Sequence, residues 1–373
     1  MEPFRIEVPD AAIADLRERL GHTRWPLDPA SLGWDRGAPL HHVRGLAERW
    51  RDGYDWRTWE ARLNAWPQLL TEIDGTPIHA AHVRSPEPDA LPLVLSHGWP
   101  GSIAEFLDVV GPLTDPRAHG GDPADAFHVV APSLPGFGFS GPAPTTGWAP
   151  QRIGEAFGVL MERLGYERYG AQGGDWGSAI SRWIGASYPE RVVGVHVNML
   201  SGALPKADDG TLSEDERARL AQAQAFSRDG FGYYALQSTK PQTLAYALTD
   251  SPVGQLAWLA EKYEAWTDAP VEADAVLTQA SIYWFTQTAG SSAQIYLEHV
   301  RAGERGAPIE VSVPVGVAVF PRDLTPPIRR FAQGLDIVRW TEMPRGGHFA
   351  AFEQPALLVD DVRGFFRPLR VLD

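Results

Sequence analysis

The sequence predicts an α/β fold: a mostly parallel sheet with helices on both faces, a helical insertion and a helical N-terminal extension. Three observations predict it. From Leu91 onward, short apolar runs bounded by Gly and Pro alternate with longer segments of helical periodicity. Residues 200–306 interrupt that alternation with helical patterning rich in aromatic residues. Residues 1–85 carry helical periodicity and close with one hairpin signal.

In chain order, Asp10 is positioned to cap a helix whose apolar residues Ile13, Leu16 and Leu20 recur at helical spacing. A second helix is expected over His41–Trp50, and a third from Asp55 with Trp56, Trp59 and Leu63 on one side. Asp74-Gly75 is a turn signal between strands at Gln68–Ile73 and Pro77–Val83. Core strands are expected at Leu91–Ser96, Phe127–Ala131, Tyr169–Gln172, Val192–Met199, Val313–Phe320 and Ile337–Glu342. Helices are expected at Ser102–Val110, Pro150–Leu164, Gly177–Tyr188, Pro326–Gln333 and Glu353–Phe366. The domain reading is an N-terminal region at 1–85, a core at 86–199 and 307–373, and a helical lid at 200–306.

Composition narrows the function. The 373 residues carry a formal net charge of −14 and no Lys/Arg-rich run, which argues against nucleic acid and anionic membranes as partners. With no cysteine in the chain, disulfides, thiolate catalysis and cysteine metal sites are excluded. No signal peptide begins at Met1, and no apolar run is long enough to span a bilayer, so a soluble, cytoplasmic protein is expected. No cofactor and no metal are expected. The sequence leaves a homodimer open. Fourteen tryptophans suit aromatic-walled pockets for apolar ligands.

The chemistry concentrates in Gly173-Gly174-Asp175-Trp176-Gly177. This is the Gly-x-nucleophile-x-Gly spacing of a strand-to-helix elbow, with aspartate where esterases carry serine. A carboxylate is already anionic at neutral pH and suits attack on an electrophilic sp3 carbon, giving an ester that water must then cleave. Epoxides and alkyl halides are therefore indicated over ordinary esters. A helix opening near Gly177 would turn its N-terminal N–H groups toward that carboxylate.

The partners follow in order. His97-Gly98-Trp99-Pro100-Gly101-Ser102 comes after the first core strand, and its backbone N–H groups could serve an oxyanion together with that of Trp176. His348 sits in a glycine-rich loop after the last strand, and Asp323 directly follows the Val313–Phe320 strand, giving the chain order nucleophile, acid, histidine. Asp336 and Glu342 are the other acids considered; one precedes a strand and the other lies too close to His348. His348, oriented by Asp323, would activate water against the ester, while the Trp99 and Trp176 amides hold the oxyanion. Epoxide opening also needs a proton donor, and the insertion offers Tyr233, Tyr234, Tyr246, Tyr263, Tyr283 and Tyr296. Periodicity does not choose among them.

These motifs resemble the microsomal-type epoxide hydrolases of the α/β-hydrolase superfamily over nearly the whole chain. The resemblance is carried by His97–Ser102, Gly173–Gly177 and Gly346-Gly347-His348-Phe349-Ala350-Ala351. Ser238-Thr239-Lys240-Pro241, Asp250-Ser251-Pro252-Val253-Gly254 and Arg24-Trp25-Pro26 add to it. It implies an α/β-hydrolase fold, the family's N-terminal domain and a cis peptide before Pro100. It also implies Asp323 as the acid, and Tyr233 and Tyr296 as the pair that protonates the epoxide oxygen, with Tyr234 the near neighbour of the first. Without a counterpart to the membrane anchor of the animal enzymes in the residues read, a soluble, bacterial-type relative acting on an apolar epoxide and water is expected. The alternatives are a haloalkane dehalogenase, which needs halide-binding N–H donors rather than paired tyrosines, and a non-catalytic ligand-binding protein, which would show a broken triad.

Overall fold

Mostly apolar runs too short for helices form the middle of the sheet, where strands are buried on both faces. The computed structural model describes residues 1–27, 33–208 and 210–370. The expected N-terminal region and C-terminal core also run over 28–32 and 371–373, which lie outside the described residues.

The chain opens with β1 (Glu2–Phe4), α1 (Asp10–Gly21), α2 (Leu40–Asp52) and α3 (Trp56–Leu63). Then come β2 (Gln68–Ile73), β3 (Thr76–Val83), β4 (Leu91–Ser96), α4 (Val110–Thr114), β5 (Phe127–Pro132) and α5 (Pro150–Arg163). The central unit is β6 (Tyr169–Gly173), α6 (Trp176–Ser187) and β7 (Val192–Val197). The sheet runs β1-β2-β3-β5-β4-β6-β7, and two later strands extend it past β7: β8 (Val311–Val319) and then β9 (Leu335–Glu342). Strands β1, β2, β3 and β5 pair antiparallel; every pairing from β5 through β4 to β9 is parallel.

Between β7 and β8 the chain makes α7 (Glu214–Ala225), α8 (Gly232–Gln237), α9 (Pro241–Asp250), α10 (Pro252–Ala265), α11 (Ala273–Thr286), α12 (Ala289–Ser292) and α13 (Gln294–Arg301). The N-terminal helices brace this insertion. The Trp50 indole donates to Ser281 Oγ at 2.9 Å, the Tyr54 hydroxyl meets Thr278 Oγ1 at 3.0 Å, and Arg49 pairs with Asp274 at 2.6 Å. The chain closes with α14 (Ala350–Glu353) and α15 (Pro355–Phe366). Among the described residues no helix is long and apolar enough to cross a membrane.

Several expected elements differ. The three-residue β1 joins the sheet edge ahead of the first helix, a strand too short to show a period. Asp10 does not cap α1: Pro9 holds the cap position, and the Asp10 carboxylate pairs with Arg57 instead. The expected helix at Ser102–Val110 is a 3-10 turn over Ile103–Phe106, with Ser102 Oγ accepting from Ala104 N at 3.1 Å, and α4 begins only at Val110. Over Pro326–Gln333 only Arg329–Phe331 turns, because the adjacent prolines lack the N–H groups a helix needs. The last helix breaks at Gln354, whose φ −139° and ψ 53° lie outside the helical region, before Pro355.

Topology explains how the motifs meet. Strands β4 and β6 are neighbours in parallel register with Ser96 opposite Gly173, so the His97–Ser102 loop and the Asp175 elbow leave the sheet side by side. Strands β8 and β9 end together with Val319 opposite Glu342, and Arg322 bridges Gly347 just beyond them. All four segments therefore converge at the C-terminal end of the sheet, where open α/β sheets place their chemistry.

Candidate active site

Asp175 occupies the turn between β6 and α6 with φ 49° and ψ −127°, a conformation that β-carbon-bearing residues rarely adopt. Its neighbours let the turn close. A β-carbon on Gly177 would lie 1.9 Å from the Ser96 carbonyl oxygen, and one on Gly98 would lie 2.3 Å from Asp175 Oδ1. Glycine at both positions lets the two loops touch. The backbone N–H of Trp99 donates to Asp175 Oδ1 at 2.8 Å. The peptide between Trp99 and Pro100 is cis. Trp176 is the first residue of α6, so its N–H has no intrahelical acceptor.

His348 faces the other carboxylate oxygen. Its Nε2 is 3.4 Å from Asp175 Oδ2, and its Nδ1 is 2.7 Å from Asp323 Oδ1. Both His348 and Asp323 are buried. Burial alone would lower the imidazole pKa, but hydrogen bonds and charge from Asp175 and Asp323 outweigh it and push His348 up to about 10. Asp323 is itself fixed: Oδ1 also accepts from Leu324 N at 2.7 Å, and its carbonyl accepts from Gln222 at 2.6 Å. The other acids considered lie elsewhere. Glu342 pairs with Arg219 at 2.9 Å, and Asp336 is exposed on β9.

The insertion holds the histidine loop. His348 N donates to the Trp266 carbonyl at 2.8 Å, and Gly346 N donates to Asp268 at 2.9 Å. Tyr263 and Tyr283 donate their hydroxyls to the carbonyls of Pro100 and Gly101 at 2.9 and 2.8 Å. These two of the six tyrosines thus brace the His97–Ser102 loop. Tyr246 is 72% exposed and remote from the chemistry.

Tyr233 and Tyr296 are buried, with ring centroids 5.8 Å apart. The Tyr233 ring stacks on Trp99 at 5.2 Å, and Tyr296 meets Trp176 edge-on at 4.8 Å. Burial raises both phenols well above their ordinary range, keeping them protonated; the Asp175 charge adds to the effect. Tyr234 stacks on Phe231 at 4.4 Å and lies beneath Arg305. All three line one cavity of about 550 Å3 with Asp175 and Trp176.

A family model described as the epoxide hydrolase N terminus matches residues 1–106, and an alpha/beta hydrolase fold model matches residues 92–251. Epoxide hydrolase 1 of Sus scrofa is 34% identical over 98% of this chain and 88% of its own length. The chain belongs to the epoxide hydrolase family. It is an enzyme of that family, on the α/β-hydrolase fold. A Stigmatella aurantiaca protein whose name assigns it provisionally to the epoxide hydrolases is 48% identical over 99% of this chain and 85% of its own length. The structure of Aspergillus niger epoxide hydrolase superposes with TM-score 0.90 at 32% identity, covering 99% of this chain and 96% of that one.

Two residues of the site escape sequence reasoning. Glu105 lines a cavity of about 20 Å3, the size of one water, with Asp175 and His348. Burial pushes its carboxyl up to about 8, with His348 pulling it down and the Asp175 charge pushing it further up. A β-carbon on Gly101 would collide with the Glu105 carboxylate, so that glycine makes room for it. Lys262 is buried with its ammonium 4.7 Å from the Tyr233 ring centroid. An acidic residue three places after a cap serine reads as helix-start chemistry, and a lysine among helical aromatics reads as a solvated stripe. Neither carries a local signal of its burial.

Proposed function

We propose that this chain hydrolyses an apolar epoxide to a vicinal diol through an ester on Asp175. The observation that carries the proposal is His348 standing between Asp175 and Asp323 while Tyr233 and Tyr296 line the same cavity as Asp175. Asp175 Oδ2 attacks an oxirane carbon, and the carbon–oxygen bond breaks toward the oxygen. Tyr233 or Tyr296 donates a proton to that oxygen, leaving a phenolate. Oδ1 becomes the ester carbonyl oxygen, already beside the Trp99 N–H.

Loss of the Asp175 charge in the ester lets His348 release to solvent the proton it holds in the free enzyme, and it regains one when the carboxylate re-forms. Water attacks Cγ of Asp175, and the neutral His348 Nε2 takes its proton. The Trp99 and Trp176 amides stabilise the oxyanion on Oδ1. Collapse breaks the bond to Oδ2, the diol oxygen takes the proton from His348, and the acid proton returns to the phenolate. Glu105 and His348 share the water-sized cavity from which that water is drawn. Residues 200–306 act as a lid that carries the tyrosines and keeps bulk water from the ester.

The test pairs two products: diol released from styrene oxide and bromide released from a bromoalkane. Diol without bromide supports the proposal; bromide without diol supports dehalogenation. Changing Tyr233 and Tyr296 together to Phe should reduce diol formation by at least about 10²-fold, the low end of what a general acid contributes. Diol formation at the parental rate would move the proton donor elsewhere, with Tyr234 next in line.

A further inference from the structure

Arg182 stands in the wall of the substrate cavity with no acidic partner among the described residues. It lies on α6 seven residues after Asp175, two helical turns along the same face, ~10 Å along the axis. Asp175, Ala179 and Arg182 all line the cavity. Arg182 is 8% exposed, and its one hydrogen bond among the described residues is a long contact from Nε to the Ser178 carbonyl at 3.4 Å. No carboxylate among the described residues forms an ion pair with it. Burial is the one influence on its guanidinium, and it lowers the group to about 10. Glu304 lines the same cavity but lies against His299, at 3.5 Å.

Buried arginines in a protein with a formal net charge of −14 ordinarily find a carboxylate, because an uncompensated buried cation is costly. A guanidinium left unpaired at a cavity wall is a donor fork waiting for an acceptor, and carboxylate fits that fork with two parallel hydrogen bonds. The lining of that cavity includes the apolar side chains of Leu200, Ala203, Phe226 and Ile309.

We propose that Arg182 anchors a carboxylate subsite, so that the preferred substrates are epoxides carrying a carboxylate beyond a short apolar chain. The proposal rests on the epoxide-hydrolysing reading above and adds the class of substrate. The oxirane sits at Asp175, the alkyl chain lies along the apolar wall, and the carboxylate pairs with the guanidinium.

The experiment compares a medium-chain ω-epoxy fatty acid with its methyl ester, and uses styrene oxide as a reference that has no carboxylate. The native enzyme should favour the acid over the ester by about 10-fold or more in kcat/KM, chiefly through KM, as expected where a buried polar group loses its partner. Arg182→Met should bring the acid-to-ester ratio close to one, and Arg182→Lys should restore part of it. Taking both rates from one preparation cancels any loss of folded protein. On the native enzyme, the saturated fatty acid of matching length should inhibit styrene oxide turnover competitively, and its methyl ester should not. Equal handling of acid and ester by the native enzyme, or an unchanged ratio in Arg182→Met, overturns the subsite. Absence of diol from all three epoxides overturns the epoxide-hydrolysing reading itself.

Discussion

Asp175→Asn is expected to abolish diol formation, with kcat falling by at least about 10⁴-fold, the scale on which loss of a covalent nucleophile acts in other hydrolases. The carboxamide is neutral and does not attack carbon. The substitution also removes one of the two carboxylates that hold the His348 proton. The backbone cost is small to begin with, because asparagine tolerates positive φ nearly as well as aspartate. The folded protein should therefore survive, and circular dichroism checks that it does. The rate is read as diol yield on protein whose intact mass excludes deamidation back to aspartate. Normal turnover by such protein would remove Asp175 from the mechanism.

The second large effect is on His348. His348→Gln leaves Asp175 free to attack but removes the base of the second step. Ester formation should continue while hydrolysis slows by about 10²- to 10⁴-fold, the usual worth of a general base. Intact mass should show the protein heavier by the whole mass of the epoxide, since ring opening adds the substrate without a leaving group. In the native enzyme the second step should also carry a pH signature. His348 is held at about 10 by two carboxylates, and forming the ester deletes the charge on one of them. Its pKa in the intermediate should thus fall below 10, and ester hydrolysis should be lost as pH drops through that lower value. Tryptophan fluorescence in single-turnover mixing reports the step, with Trp99 and Trp176 beside the ester. Rapid turnover by His348→Gln without an adduct would end its role as base.

The residues that meet at the candidate site were more legible than the architecture around them. Asp175 shows itself because glycines at 173 and 177 have no other local reason to flank an acid, and the close approaches they permit are those found. Asp323 and His348 follow from chain order and from the strands they terminate, and the two meet at 2.7 Å. The buried strands are legible as apolar runs, since burial on both faces leaves no polar alternation. Short pieces were not legible. A three-residue strand has no period, and a run such as Leu324-Thr325-Pro326-Pro327 does not announce that only one turn follows it. Glu105 and Lys262, and Arg182 in the cavity wall, were missed for a different reason. Their burial is set by residues far away in sequence, and a charged side chain on a helix face is solvated unless tertiary packing covers it.

In the proposed mechanism, Asp175 and Trp99 would also account for how one carboxylate serves two steps. The Trp99 N–H already holds Oδ1, so the other oxygen is the one presented to carbon. In the proposed mechanism, the contact that orients Asp175 would become half of the oxyanion site once the ester forms.

The most direct measurement is a single turnover in water enriched in oxygen-18, with enzyme in excess over epoxide. Attack through Asp175 places the unlabelled carboxylate oxygen in the diol and leaves the label in the peptide that contains Asp175. Diol carrying the label from its first turnover, with an unlabelled Asp175 peptide, would mean that water attacks the epoxide directly and that no ester forms.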